Sequence, residues 1–221
     1  MSILDNFHDK RDNADEDIVG FLSGAKNYNI IIFDTETNGF VSNPMPSLLS
    51  ISAVRGELVG NKQFQLVDAY DRFYYPREEY NSKAISVNGL SEKMIEEKRH
   101  EAGQDDRIYF DIDYPAFVEF CEGVDLFIGH NLLDFDTKFV PYIDWETKKI
   151  FDTMKSNKDI VCAEWQERRK QWKNPKLIEA IEYYKINVDF SQLHGAKYDV
   201  AMTLAVFMEM LQRANVRLKK F

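Results

Sequence analysis

Four apolar residues, Ile30 to Phe33, form an unbroken run, and a polar stretch ending in Asn38-Gly39 follows them. A run of that length closed by a turn pair reads as a strand buried on both faces. A first strand is therefore expected over 28–36. Leu48, Leu49, Ile51, Ala53 and Val54 place a second strand over Ser47–Gly56. Phe64, Leu66, Phe73 and Tyr75 place a third over Lys62–Tyr75, interrupted at Asp68–Asp71. Gly60-Asn61 supplies the turn between these two. Three early strands on short connections predict an antiparallel meander.

Beyond the Asn88-Gly89 break the spacing becomes helical. One helix is expected from Ser91, and another over Tyr114–Cys121, entered through Pro115. Val124–Ile128 reads as a short buried strand ended by Gly129-His130-Asn131. A helix is expected over Leu132–Ile143, a short strand near Ile150-Phe151, and a cap at Asp152-Thr153. The charged segment 158–172 is expected to be helical, and Pro175 opens a helix through Tyr184. The most apolar helix runs from Tyr198 to Ala214. Upstream, Ile18, Val19 and Leu22 give a short amphipathic helix over Asp15–Leu22. Strands first, then helices alternating with short strands, predict an α/β fold: a mixed sheet with helices on its faces. No linker divides it, so the expected organisation is a polar extension (1–27), one domain (28–214) and a basic tail (215–221).

Composition narrows the function classes. With 221 residues and 44% hydrophobic content, the chain can bury one substantial core. A net charge of −9 argues against a broad basic face for nucleic acid. It leaves room for a site that holds phosphates through metal ions and a few local cations. Cys121 and Cys162 lack metal-ligand spacing and read as reduced intracellular residues. No apolar run reaches membrane-spanning length, and the N-terminus has no signal-peptide pattern. The expectation is a cytoplasmic protein with no membrane contact.

The candidate chemistry is acidic. Side chains two apart on a strand share a face, so Asp34 and Glu36 project together. Two neighbouring anions repel unless a proton or a cation lies between them, and hard divalent ions suit oxygen-only ligands. A solvated Glu beside a turn-capping Asp explains the same pair. Asp136 shares an i, i+3, i+4 stripe with Phe139 and Val140, which puts an acid on an apolar face. Helix-dipole stabilisation accounts for Asp134 more readily. Asp199 opens the apolar last helix, with His194 just before it. Each acid alone also reads as structural; the case rests on their occurring together.

Three segments carry a resemblance. Asp34-Thr35-Glu36-Thr37-x-Gly39, then His130-Asn131 with Phe135-Asp136-x-x-Phe139, then His194-x-Ala196-x-x-Asp199 resemble, in order, the three motifs of the DEDDh 3′–5′ exonucleases. That family includes bacterial proofreading subunits and RNase T. Gly89-Leu90 and Asp152-Thr153 fall where its members carry similar pairs. The resemblance implies a ribonuclease H-like sheet, with three antiparallel N-terminal strands and then parallel ones. It implies Asp34, Glu36, Asp136 and Asp199 as ligands of two divalent ions, Mg²⁺ or Mn²⁺, and His194 as general base. It also implies Thr35, Thr37, Asn88 and Asn131 as substrate contacts, with the last nucleotide entering at Asn38-Gly39. Two departures stand out. Three residues rather than two separate His130-Asn131 from Phe135-Asp136, leaving Asp134 as a second candidate ligand. Asn88 stands where many members have His.

The implied substrate is a single-stranded or frayed 3′ end of DNA, with RNA as the rival, in the manner of RNase T or an oligoribonucleotide-trimming enzyme. Implied partners are a DNA polymerase subunit or a second copy of the chain. A silent domain that binds nucleic acid or a polymerase is the reading from another class. Arg168, Arg169, Lys170, Lys173 and Lys176, interleaved with Trp165 and Trp172, form a local cationic stretch suited to a strand. A solvated helix face explains those charges too. The ending Arg217–Phe221 reads as a frayed tail or a partner contact.

Overall fold

A computed structural model describes residues 27–60, 62–104, 106–187 and 196–218, with backbone alone for 215–218. The helix expected over Asp15–Leu22 and the end of the basic tail lie outside the described residues. Five strands form one sheet: β1 (Asn27–Thr37), β2 (Leu48–Val59), β3 (Gln63–Phe73), β4 (Leu126–Gly129) and β5 (Ile150–Asp152), in the order β3-β2-β1-β4-β5. β1 pairs antiparallel with β2, and β2 with β3; β1–β4 and β4–β5 are parallel. This is the ribonuclease H-like arrangement that the resemblance implies. Among the described residues seven α-helices accompany it: α1 (Ser82–Asn88), α2 (Glu92–Glu101), α3 (Phe110–Phe120), α4 (Asp136–Phe139), α5 (Thr153–Val161), α6 (Leu177–Tyr184) and α7 (Ala196–Leu218). A separate hairpin joins β6 (Trp165–Gln166) to β7 (Gln171–Trp172).

The apolar run in β1 is central because both of its faces are covered. Ile30 and Ile32 pack with Ile181 of α6 and with Val206, Phe207 and Leu211 of α7. Ile31 and Phe33 pack with Phe117 of α3 and Phe139 of α4. Burying each of these four side chains contributes about 1.5–3 kcal/mol. The alternation continues past the apolar run. Asp34 and Glu36 therefore emerge on the α7 side, and Thr35 and Thr37 on the α4 side.

Four elements differ from expectation. The helix expected over Leu132–Ile143 shrinks to the single turn α4. Pro141 disfavours helical geometry at Val140, which adopts φ −119° and ψ 64°. Only 158–161 of the segment 158–172 is helical: α5 ends at Val161, Cys162 caps it in left-handed backbone, and a hairpin follows. Its charged residues offer no apolar stripe for a helix to bury. Trp165 and Trp172 instead form a cross-strand pair with rings 5.3 Å apart. Finally, α3 begins at Phe110, ahead of the expected Tyr114, with acids Asp111 and Asp113 in its first turn and Pro115 inside. Helix α1 was not anticipated; Asn81 caps its start and Gly89, at φ 72°, its end.

Candidate active site

Asp34 and Glu36 leave the end of β1 on the face that α7 covers, and Asp199 stands in the first turn of α7. One carboxylate oxygen from each of the three lies within 4.8 Å of the others. All three side chains keep part of their surface open. Asp136 reaches the same strand end from the opposite side of the sheet. It is 2% exposed, and its Oδ1 accepts the Thr35 backbone N–H at 2.9 Å and the Thr35 hydroxyl at 2.7 Å. Thr35 points to that side because it alternates with Asp34 and Glu36. One strand end thus presents two carboxylates on one face and grips a third from the other.

The electrostatics follow from crowding four acids in partial burial. Loss of hydration, then the charges of Asp136, Glu36 and Asp199, raise the Asp34 carboxyl well above its ordinary range. Burial, then Asp199 and Asp136, push Glu36 up to about 8, against a lowering hydrogen bond from Asn88. Burial raises Asp136 to about 7, although the two Thr35 bonds favour its charged form. A set of oxygen donors that resists ionisation when empty fits a hard divalent cation, which would relieve the repulsion.

The two candidates in the second motif are placed very differently. Asp134 is exposed and paired with Lys155 at 2.8 Å; Asp136 lies against β1. The loop between β4 and α4 is held by Asp152, which is 3% exposed. Its Oδ1 accepts N–H groups of Asn131, Met154 and Lys155, and its Oδ2 accepts that of Leu133. Asp152 therefore caps α5 and shapes the loop that delivers Asp136. His130 ties the same region to the next loop. Its Nε2 donates to the Pro175 carbonyl at 3.0 Å, its Nδ1 faces the Thr153 hydroxyl at 3.1 Å, and burial lowers its pKa.

The residues expected to touch substrate are bound up in the frame. The Thr37 hydroxyl donates to the Gly39 carbonyl. Asn88 donates to the Thr37 carbonyl, accepts the Leu90 N–H, and bonds Glu36. Asn131 adopts φ 73°, the left-handed corner between β4 and its loop. His194 lies outside the described residues. Two residues that the sequence reading named support the site in roles it did not assign them. One is Asp152 in its loop-shaping role. The other is Asn38, a buried amide that donates to Glu78 and the Glu79 carbonyl and accepts the Asn81 N–H. Its only cue was the Asn-Gly pair, which reads as a turn.

Residues 31–207 match the exonuclease family RNase_T. The chain belongs to that exonuclease family. Membership places it among the nuclease hydrolases. The DNA polymerase III PolC-type protein of Staphylococcus aureus is 24% identical over 200 residues, covering 85% of this chain. The chain spans only 12% of the length of that relative. Among solved structures, Exonuclease X in complex with 5′ overhanging duplex DNA has a TM-score of 0.58 at 18% identity, covering 84% of this chain and 93% of that one. E. coli Exonuclease I in complex with a dA16 oligonucleotide has a TM-score of 0.61 at 14% identity, covering 87% and 43%. At such identities the likeness to these exonucleases is one of fold. Among the described residues no helix is long and apolar enough to cross a membrane.

Proposed function

We propose that this exonuclease removes nucleoside 5′-monophosphates one at a time from single-stranded or frayed 3′ ends of DNA, using two divalent ions, and that the activity resides in residues 28–214. The observation that carries this reading is the convergence of Asp34, Glu36 and Asp199 within 4.8 Å at one strand end, with the charge of Asp136 raising the Asp34 carboxyl. Asp34, Glu36, Asp136 and Asp199 would hold the ions, whose charges balance four carboxylates. When bound, Mg²⁺ or Mn²⁺ ions activate water and neutralise charge developing on a phosphate.

The chain's own residues do the rest. Thr35 holds Asp136 in its charged orientation, and Asn88 steadies Glu36. His194 takes the proton of the attacking water, a general-base task that an imidazole side chain can perform. Phe40, Val41 and Met45, exposed beyond Asn38-Gly39, offer an apolar rim where the terminal base can stack. DNA is preferred as substrate because the similar Exonuclease X and Exonuclease I structures hold DNA. Likeness to the PolC-type protein supports work beside a DNA polymerase.

The test is degradation of a 5′-labelled single-stranded DNA and its RNA counterpart, with Mg²⁺ or Mn²⁺ and with chelator. The expected products form a ladder shortened from the 3′ end, metal-dependent and absent in folded Asp34→Ala. Immediate release of the 5′ label would reverse the polarity. No metal-dependent cleavage of either polymer would remove the enzymatic reading.

A further inference from the structure

The β6–β7 hairpin carries Arg168, Arg169 and Lys170 in succession on a chain of net charge −9. Pairing of Trp165 with Trp172 and of Gln166 with Gln171 leaves Glu167-Arg168-Arg169-Lys170 as its four-residue tip. The Arg169 N–H donates to the Gln166 carbonyl, and Lys170 takes a left-handed φ of 52°, which fixes the turn. Lys170 is paired with Glu167. Arg168 and Arg169 are exposed, and among the described residues neither guanidinium has an ion pair. Trp165 is 41% exposed, and its Nε1 donates to Glu167.

The hairpin is a fixed mount. The Lys173 N–H donates to the Glu164 carbonyl and closes its base, and the Lys173 ammonium pairs with Glu179 of α6 at 2.7 Å. Lys158 of α5 donates to Gln171 at 2.7 Å. Two residues past Lys173, the Pro175 carbonyl accepts from His130, the neighbour of Asn131 in the loop that leads to Asp136. Pro175 lies six positions past Arg169, a reach of at most about 20 Å. A polyanion approaching a chain of net charge −9 meets overall repulsion, so two exposed guanidinium groups on the same hairpin as a half-exposed indole form a local attractor. Phosphates spaced along a strand suit the first and a base suits the second.

We propose that the β6–β7 hairpin is a second contact for the substrate strand, upstream of the nucleotide being removed: Arg168 and Arg169 engage backbone phosphates and Trp165 stacks on a base. This rests on the exonuclease reading. Substrate length therefore matters to this enzyme: a single nucleotide ester fills only the carboxylate site, whereas an oligomer reaches the hairpin as well.

The experiment compares the full wild-type chain with Arg168→Ala/Arg169→Ala, Arg168→Lys/Arg169→Lys and Trp165→Ala, each checked for an unchanged melting temperature. Three readouts are used: hydrolysis of the p-nitrophenyl ester of thymidine 5′-monophosphate, KM for oligothymidylate, and metal-free binding of labelled oligothymidylate against salt. For the double Ala variant the ester rate should be unchanged and oligomer binding about tenfold weaker. The slope of log affinity on log salt should become shallower by about 1.4, as expected for two lost single-strand phosphate contacts. The double Lys variant, which keeps both charges, should retain the wild-type slope. Trp165→Ala should weaken binding with no change in slope. Wild-type affinity and slope in the folded double Ala variant would overturn the hairpin contact. If wild type binds oligothymidylate but hydrolyses neither substrate, the exonuclease reading falls while loss of binding in the variant still upholds the contact. If wild type neither binds nor cleaves, both are refuted.

Discussion

Asp136 commits its Oδ1 to Thr35, and the proposed reading gives its carboxylate to a metal ion, whereas Asp134 spends its charge on a solvent-exposed lysine. That contrast yields a residue-scale prediction. Asp136→Asn should lower kcat by about a hundredfold or more, since on the proposed function it alters a metal ligand. Asp134→Asn should change activity by no more than about twofold, because an exposed pair such as Asp134–Lys155 contributes ~0–1 kcal/mol. Steady-state kinetics on oligothymidylate would check both, and an inactive Asp134→Asn beside an active Asp136→Asn would exchange their roles. In sequence the choice between the two rested on the flanking Phe135 and Phe139. In the structure it rests on burial and on Thr35, whose side chain alternates away from Asp34 and Glu36. Asn38 shows the opposite case. Its amide is consumed by a loop some forty positions downstream, a partnership that local pattern does not encode.

Among elements, the strands were legible because burial on both faces of β1 leaves a period-free apolar run, and β2 keeps apolar residues at every turn of its pleat. Segments 132–143 and 158–172 were not. In the first, apolar spacing suited a helix, but Pro141 at its end and the demands of Asp152 on the Asn131 and Leu133 amides break the backbone into a loop. In the second, charge density hid the paired tryptophans that set a hairpin. Asp152 joins three elements at once, and its replacement tests that role. Asp152→Asn should turn an amide NH₂ toward at least one backbone N–H, at a cost of about 1–3 kcal/mol. Urea unfolding should register that loss, and activity should fall about 10–100-fold as Asp136 shifts. Wild-type stability and rate in this variant would show that the loop stands without it.

At the scale of the whole molecule, the crowded carboxylates bind protons that the unfolded chain has released. Glu36 moves from its ordinary 4.5 up to about 8, and Asp136 from 3.8 to about 7. Across that interval the folded state holds more protons than the unfolded state, so metal-free stability should decline as pH rises from about 4.5 to about 8. Thermal melts in chelator should show this fall. Added Mg²⁺ or Mn²⁺ should raise the melting temperature more at the alkaline end, where its ligands are already deprotonated. Asp34→Asn should flatten the metal-free profile, because it removes one of the repelling charges. A metal-free melting temperature that rises over the same interval would contradict the crowding.

β1 separates two cores that share no side chains: one is built with α6 and α7, the other with α3 and α4. The four acids are drawn from both sides of that partition and from the partition itself. A cation seated among them would act as a rivet through the sheet, fastening α7 on one side to α4 on the other. Any sliding of either helical layer along the strand would then shear the catalytic set. The stiffness of the entire sandwich, rather than of the site alone, would determine how well the four oxygens keep their spacing between one cleavage and the next.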